Sequence, residues 1–200
     1  HEVEYVLLTR GDKGGDENSN PYDLMETRML EQKAAALKLG VKQVTFLEYP
    51  DGYLVPNLEI RKAVVSEIRR SAPDVIVGCD PQNIFYRPGG INHPDHRAAG
   101  QIVVDALFPA AGNFHYFPEL LEQGLPPVSV KELWLSVPST PNFVLDVSVY
   151  WQQKLDALHE HKSQIGDVAQ FDEKMRKRRT PDSTPENPCY EEKFYRVVFS

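Results

Sequence analysis

The sequence predicts an α/β fold, a three-layer domain built around a mostly parallel sheet. Short apolar runs alternate with amphipathic helical segments through the first half of the chain. The run Val75–Cys79 is apolar on both faces, which is typical of a strand covered by helices on each side. A chain of 200 residues can bury one core, so we expect a single domain over residues 1–200.

The first strand and helix have clear boundaries. Residues 3–8 form an apolar run that predicts a strand, and a loop rich in Gly and Asp follows at residues 10–20. Asn20 and Pro21 then begin a helix, because an Asn side chain caps a helix start and proline fits its first turn. Within this helix apolar residues recur at helical spacing, at Leu30, Ala34 and Leu37.

The next elements repeat this alternation. Residues 44–47 predict a second strand, and Asn57 caps a helix with one apolar stripe. The stripe consists of Ile60, Val64 and Ile68. The third strand, Val75–Cys79, leads through a long loop at residues 80–92 into a helical run at residues 93–107. This β-α-β-α-β-α order is the pattern of a layered α/β domain.

The second half of the chain is less regular. We predict strands at residues 132–137, 143–147 and 195–199, and a helix at residues 148–165. The inward face of that helix consists of Trp151, Leu155 and Leu158. Residues 180–188 are rich in proline and polar side chains and therefore predict a loop.

Charge and composition argue against several classes of function. Lys and Arg number 22 against 29 Asp and Glu, and a net charge of −7 disfavours nucleic acid as a partner. The basic run at residues 174–179 is better explained as a solvated helix end than as a phosphate-binding patch. No apolar run approaches the roughly 20 residues of a membrane helix, so we expect no membrane span. Two widely spaced cysteines do not make a disulfide scaffold, which favours a cytoplasmic location.

The densest group of reactive side chains is Asn92-His93-Pro94-Asp95-His96. It follows a strand and a loop and begins a helix, and ligands of open α/β sheets bind outside the carboxyl ends of strands. One imidazole can hold a metal, while the other, oriented by the carboxylate, can carry a proton or stabilise negative charge. The structural alternative is that Asp95 caps the helix and both histidines lie on the surface.

Three further side chains belong to segments that the predicted fold brings to the same sheet edge. Asp12 is in the loop after the first strand, Arg28 in the helix that follows, and Asp51 in the turn after the second strand. Each is a candidate for substrate contact. The structural alternatives are an ion pair of Arg28 with Glu31 and a turn-forming role for Asp51.

Taken in order, these segments resemble the LmbE/PIG-L family of zinc-dependent N-deacetylases. The succession is LLTRGDKGG, Arg28 with Glu31 before AAALKLGV, FLEYPDGYL, PDVIV, NHPDHRAAG and KLDALHEHKSQ, and it extends to about Ile165. The most specific element is HPDHRAAG, since each of the others alone is a weak signal. The resemblance implies a Rossmann-like domain that binds one zinc ion and removes the acetyl group from N-acetylglucosaminyl substrates.

By position, the resemblance assigns roles in catalysis and metal binding. His96 matches the histidine that ligates the metal. His93 matches the histidine that faces the reacting acetyl group, and Asp95 matches its orienting partner. Zinc is the expected ion, although a site of histidine and carboxylate also accepts other divalent metals.

The resemblance also indicates the partner. Arg28 and Asp51 match positions that contact the substrate, and Asp12 lies near that pocket. The implied partner is a small acetylated amino sugar or its conjugate, with neither nucleic acid nor a membrane involved.

One part of the family pattern does not occur in the chain. The family's first motif, His-Pro-Asp-Asp after an initial strand, supplies two more zinc ligands and the general base. It is expected just upstream of the strand at residues 3–8, and the chain begins at His1. We therefore expect the first βα unit to be missing, and these 200 residues alone to bind zinc weakly and to be inactive.

Two alternatives to an N-deacetylase arise from the same residues. One is a non-catalytic carbohydrate-binding or interaction module on a degenerate deacetylase fold. The other keeps catalysis but acts on a different amide or on an ester. A His96→Ala substitution separates the enzymes from a pure sugar-binding module, because only an enzyme of this kind depends on the metal.

Overall fold

The computed structural model describes residues 1–86 and 89–199, so part of the predicted loop at residues 80–92 lies outside the described residues. The strands are β1 (Glu4–Thr9), β2 (Gln43–Tyr49), β3 (Val75–Cys79), β4 (Glu132–Ser136), β5 (Phe143–Asp146) and β6 (Glu191–Val198). The helices are α1 (Pro21–Lys38), α2 (Leu58–Ser71), α3 (Pro94–Asp105), α4 (Glu119–Glu122), α5 (Trp151–Leu158), α6 (Lys162–Ile165) and α7 (Val168–Arg176). A π-helical stretch at Ala106–Ala111 follows α3, and a 3-10 turn at Ser148–Tyr150 precedes α5.

Parallel pairing joins the strands that the sequence predicts in the first half of the chain. β1 pairs with β2 in parallel, and a second sheet has the strand order β3-β4-β6-β5. In this second sheet β3 and β4 are parallel, with Val75 opposite Glu132, whereas β6 runs antiparallel to β4. The mixed α/β fold with mostly parallel pairing is thus confirmed.

The chain divides into two compact units. The first unit comprises His1–Asp51 and Leu145–Glu192, and the second unit comprises Gly52–Val144 and Lys193–Ser200. The single domain expected over residues 1–200 stays a prediction.

In the first unit, α1 begins where the sequence predicts. The Asn20 side chain accepts a hydrogen bond from the Tyr22 N–H at 2.9 Å, and proline occupies the first turn. The leucines that signalled this helix are exposed, however, and its buried residues are Glu31, Ala35 and Ala36. None of the helices within the described residues, α1 included, is long and apolar enough to cross a membrane.

The predicted helix at residues 148–165 is interrupted in the first unit. It ends at Leu158 and resumes as α6 at Lys162. The Glu31 carboxylate accepts hydrogen bonds from the Ser163 N–H at 2.6 Å and from its hydroxyl at 2.7 Å, so α1 supplies a cap for a separate short helix. The predicted inward residues are nonetheless correct, because Trp151 and Leu155 are buried and Leu158 packs against them.

In the second unit, the apolar stripe of α2 is buried as predicted, with Ile60, Val64 and Ile68 each 6% exposed or less. Helix α3 lies close to β3 at Gly100. A Cβ atom at that position would lie 2.4 Å from the Cys79 carbonyl oxygen, so only glycine permits this approach. The close contact holds the middle of α3 beside the carboxyl end of β3.

Candidate active site

The start of α3 is determined by its local sequence. His93 is the N-cap, Pro94 follows at the first helical position, and Asp95 is the acid of the first turn. Proline lacks the N–H that a first helical residue leaves unpaired, and an acid suits the positive end of the helix. These residues therefore begin a helix directly beyond the loop that leaves β3.

The hydrogen bonds of His93 define which ring nitrogen carries its proton. The backbone N–H of Asp95 donates to Nδ1 of His93 at 3.2 Å. A backbone N–H is only a donor, so Nδ1 must supply the lone pair. In the neutral ring the proton is then on Nε2.

His96 has the opposite arrangement. Its Nδ1 lies 3.1 Å from Oδ1 of Asn92, and the Asn92 amide is oriented because its Nδ2 donates to the Asn83 carbonyl oxygen at 2.9 Å. An amide oxygen only accepts hydrogen bonds, so Nδ1 of His96 carries the proton. Its lone pair is consequently on Nε2, the form in which a histidine binds a metal through that atom.

The two rings lie side by side at the protein surface. Their centroids are 5.5 Å apart, and the ring planes are inclined by 48°. Both histidine side chains are exposed, as the structural alternative expects, but the cap of α3 is His93 and Asp95 is buried. In their neutral forms, His93 thus has its N–H on Nε2 and His96 has its lone pair on Nε2.

Asp95 is only 5% exposed, and both of its carboxylate oxygens have partners. Oδ2 accepts the Gly52 N–H at 2.7 Å, and Oδ1 accepts the Leu54 N–H at 3.2 Å. A carboxylate oxygen of Asp95 also lies within 4.8 Å of a ring nitrogen of His93. The structure therefore brings these two predicted residues together, and the role of Asp95 as orienting partner of His93 stays a prediction.

The donors at this position suit a divalent metal. Imidazole nitrogens and a carboxylate oxygen are the ligand types that zinc and other first-row divalent ions accept. The neutral His96 ring has its lone pair on Nε2, and a carboxylate oxygen of Asp95 lies within 4.8 Å of a ring nitrogen of the neighbouring His93. A metal-binding group is therefore supported, while zinc in particular stays a prediction.

In the first unit, Asp12 is bonded to the predicted turn residue Asp51. The Asp51 N–H donates to Oδ1 of Asp12 at 3.0 Å, and Nε of Arg10 lies 3.9 Å from the same oxygen. Burial favours the protonated acid, but backbone hydrogen bonds and the charges of Arg10 and Lys13 outweigh it and lower the pKa of Asp12. Asp12 is therefore ionised at neutral pH.

Arg28 is bonded to the glycine-rich loop of the first unit. Nη1 donates to the Gly11 carbonyl oxygen at 2.6 Å, and Nη2 donates to that of Gly14 at 3.0 Å. A Cβ atom on Gly14 would lie 2.4 Å from Nη2, so this glycine makes room for the guanidinium. Glu31, the alternative partner of Arg28, instead accepts hydrogen bonds from Ser163. Substrate contact by Arg28, Asp51 and Asp12 stays a prediction.

Sequence reasoning assigned no role to Asn92, although it is part of the NHPDH run. Its spacing four residues before His96 is a usable signal, because residues four apart face each other across a helical turn. The hydrogen bonds from Gly52 and Leu54 to Asp95 had no such signal, since 41 or more residues separate the partners.

The comparison with protein families agrees with the observed fold and with the neighbouring rings of His93 and His96. The chain belongs to the PIG-L family, described as GlcNAc-PI de-N-acetylase, whose model matches residues 1–107. The resemblance to the LmbE/PIG-L family is thereby confirmed.

Two relatives of the chain carry names of deacetylases. The chain is 33% identical over 166 residues to a diacetylchitobiose deacetylase of Thermococcus kodakarensis. The aligned residues cover 82% of the chain and 60% of that protein. It is 29% identical over 170 residues to a probable N-acetyl-alpha-D-glucosaminyl L-malate deacetylase 2 of Bacillus anthracis, covering 82% of the chain and 69% of the relative. The chain thus spans about 60% of the length of the first of these relatives.

A solved structure shares the fold over nearly the whole chain. The N,N'-diacetylchitobiose deacetylase of Pyrococcus horikoshii, complexed with its inhibitor MPG, matches with a TM-score of 0.86 and 28% identity. The match covers 98% of this chain and 73% of that one. The predicted Rossmann-like fold is confirmed by this likeness.

Proposed function

We propose that this protein is a metal-dependent hydrolase that removes the N-acetyl group from N-acetylglucosaminyl-type substrates. The observation that carries the proposal is the opposite proton placement on His93 and His96, because hydrolysis of an amide at a metal needs both a ligand and a hydrogen-bond donor. The relatives support it, since those named above are deacetylases of N-acetylglucosamine derivatives.

His96 is the proposed metal ligand, through Nε2, and zinc is the proposed ion. A bound zinc ion supplies a Lewis acid for the acetyl carbonyl and lowers the pKa of a bound water toward neutrality. Asp95 accepts hydrogen bonds from the turn at Gly52–Leu54 and lies beside His93. Its proposed role is therefore to position the groups around the metal ligand His96, and it does not itself react.

His93 is the proposed hydrogen-bond donor, through Nε2. In the overall reaction a water oxygen adds to the acetyl carbon, the C–N bond breaks, and the products are acetate and the free amine. His93 donates its Nε2–H to the acetyl oxygen and so stabilises the negative charge that develops there, and the proton that the departing nitrogen gains comes from the attacking water. An N–H directed by a fixed backbone hydrogen bond on the other ring nitrogen is prepared for this role.

Arg28, Asp51 and Asp12 are proposed to contact the sugar. Carboxylates and a guanidinium are the usual partners of sugar hydroxyls, and Asp51 directly precedes the Gly52 whose N–H is held by Asp95. We also propose a cytoplasmic location, since both cysteines are free thiols.

Acetate release from N,N'-diacetylchitobiose tests the proposal, with the protein produced from the complete gene. We expect acetate and a new free amine, loss of activity with a chelator, and recovery when zinc is restored. A His96→Ala variant should bind no metal at the site and release no acetate.

Three results would contradict the proposal. Sugar binding without acetate release would favour a non-catalytic carbohydrate-binding module. Hydrolysis that a chelator does not affect would exclude a metal-dependent reaction. Release of acetate only from simple esters, in a parallel panel, would favour the alternative hydrolase.

A further inference from the structure

We infer that Asn92 is a positioning residue that selects the ring nitrogen through which His96 meets the metal. The inference rests on the proposed function, because it assumes that His96 is a ligand. The inference gives Asn92 a specific role, whereas its residue type alone predicts only a position in a polar loop.

Asn92 is held at four points within the second unit. Its backbone N–H donates to the Ile84 carbonyl at 2.8 Å, and its carbonyl accepts from Nη1 of Arg97 at 3.1 Å. Its side-chain Nδ2 donates to the Asn83 carbonyl at 2.9 Å, and its Oδ1 faces Nδ1 of His96 at 3.1 Å. The amide cannot turn over without breaking two of these bonds.

The residue that fixes the Asn92 amide is itself fixed. Asn83 is only 3% exposed, and its side-chain Nδ2 donates to the carbonyl of Val137, just beyond β4. The oxygen presented to His96 is therefore attached to the rigid sheet through two successive amides. Connected polar groups of this kind restrain one another more than isolated pairs do.

This restraint has a chemical consequence for an exposed imidazole. A solvated ring exchanges its proton between the two nitrogens and rotates about its side-chain bonds, and only some of these states offer a lone pair in the required direction. The acceptor at Asn92 favours the state with the proton on Nδ1 and the lone pair on Nε2. Outer partners that fix a ligand histidine in this way commonly contribute 10- to 100-fold to metal affinity.

The proton placement is measurable without any metal. In protein with ¹⁵N-labelled histidine, at a pH high enough to keep the rings neutral, long-range ¹H–¹⁵N spectra distinguish a protonated ring nitrogen from an unprotonated one. We expect His96 to be protonated on Nδ1 and His93 on Nε2. An Asn92→Ala variant should shift His96 toward a mixture of both forms and leave His93 unchanged.

Metal affinity supplies the second measurement, by competition for Zn²⁺ with a coloured chelator. Asn92→Ala should bind zinc about 10- to 100-fold more weakly. Asn92→Asp keeps an acceptor for Nδ1 but loses the donor to Asn83, so it should retain most of the affinity. Gln101→Ala, which removes an exposed amide that donates to Asp105 on the same helix, is the matched control and should bind zinc like the unchanged protein.

The results separate this inference from the proposed function. If Asn92→Ala keeps full zinc affinity, or if Asn92→Asp loses as much as Asn92→Ala, the acceptor does not position His96 and the inference is wrong. If the proton placements and affinities are as expected but no acetate is released from any acetylated sugar, the proposed function fails and the inference stands. If His96→Ala binds zinc as tightly as the unchanged protein, both fail.

Discussion

Two segments that follow strands differ in how polar side chains are hydrogen-bonded there. At the start of α3, His93 and His96 each engage Nδ1 in a hydrogen bond, so that the state of the Nε2 atoms is defined. In the glycine-rich loop of the first unit, Arg28 directs both terminal nitrogens at the carbonyls of Gly11 and Gly14. The first arrangement determines which ring nitrogens carry protons, whereas the second fastens a loop.

The difference teaches that residue type and position are not enough to assign a role. Arg28 and His96 were both candidates by family position, and each lies in the helix that follows a strand and its loop. Their hydrogen bonds distinguish them, because the Arg28 guanidinium donates to two carbonyls of the loop through Nη1 and Nη2, whereas the bond of His96 to Asn92 uses Nδ1 and not the proposed ligand atom Nε2. The predictions below test this contrast.

The largest expected effect separates the two histidines. His96→Ala should lower zinc affinity by at least about 100-fold, since a ligand is lost. His93→Asn keeps an acceptor for the Asp95 N–H but removes Nε2–H, so it should lower kcat by about 10²–10³ while zinc affinity stays within a few-fold. Chelator competition and acetate release measure both quantities. The reverse pattern would mean that the two roles have been exchanged.

The next largest effect is expected for Asp95, in the free energy of unfolding of the second unit. Asp95→Ala leaves the Gly52 and Leu54 N–H groups without their buried acceptor, which should cost about 2–4 kcal/mol in the free energy of unfolding. Urea denaturation measures the loss, and amide hydrogen exchange at Gly52 and Leu54 should accelerate. Asp105→Ala is the control, because its pair with Arg61 is partly exposed and should cost less than about 1 kcal/mol. Equal losses in the two variants would contradict this role for Asp95.

Arg28 should show an intermediate effect that distinguishes a loop clamp from a sugar contact. A lysine cannot reach both carbonyls, so Arg28→Lys should lower stability by about 1–2 kcal/mol and raise KM. Gly14→Ala disturbs the same loop but retains the guanidinium. If both variants raise KM to the same extent, the role of Arg28 is to hold the glycine-rich loop. A KM increase confined to Arg28→Lys would support the proposed sugar contact.

The order of elements was predictable because it depends on local patterns, and the remaining details were not because they depend on distant partners. Asn20 and Pro21 mark the start of α1 correctly. Yet the Leu30 and Leu37 spacing that indicated this helix lies on an exposed face, since periodicity fixes the type of an element but not which neighbour covers it. The interruption before α6 depends on Glu31, 132 residues from Ser163 in sequence.

In the candidate site, too, local patterns predict some features, and others depend on partners elsewhere in the chain. The NHPDH run locates the reactive residues, because it follows β3 and carries its own helix start in His93 and Pro94. Sequence alone could not tell which ring nitrogen of each histidine carries the proton. For His93 it depends on the Asp95 N–H, and for His96 on the Asn92 amide, whose orientation is set by Asn83. Residue identity thus predicts the chemistry available, and the hydrogen bonds decide which atom performs it.

The smallest expected effect concerns the acid stability of the first unit. The pKa of Asp12 is lower in the folded chain than its ordinary value of 3.8, so its stabilisation is fully present above that value. It is lost as the pH falls through the lower folded value. Asp12→Asn should therefore make the acid decline in the free energy of unfolding shallower, by about 1 kcal/mol or less.

Urea denaturation at a series of pH values from neutral to about 3 measures this decline, over the range in which carboxylates titrate. Asp23→Asn, at an exposed acid of α1, is the matched control for the loss of one carboxylate. An Asp12→Asn variant with the same pH dependence as the unchanged protein would show that the Asp51 N–H does not depend on an ionised Asp12. The position of the glycine-rich loop would then depend on other bonds, such as those from Arg28 to the Gly11 and Gly14 carbonyls.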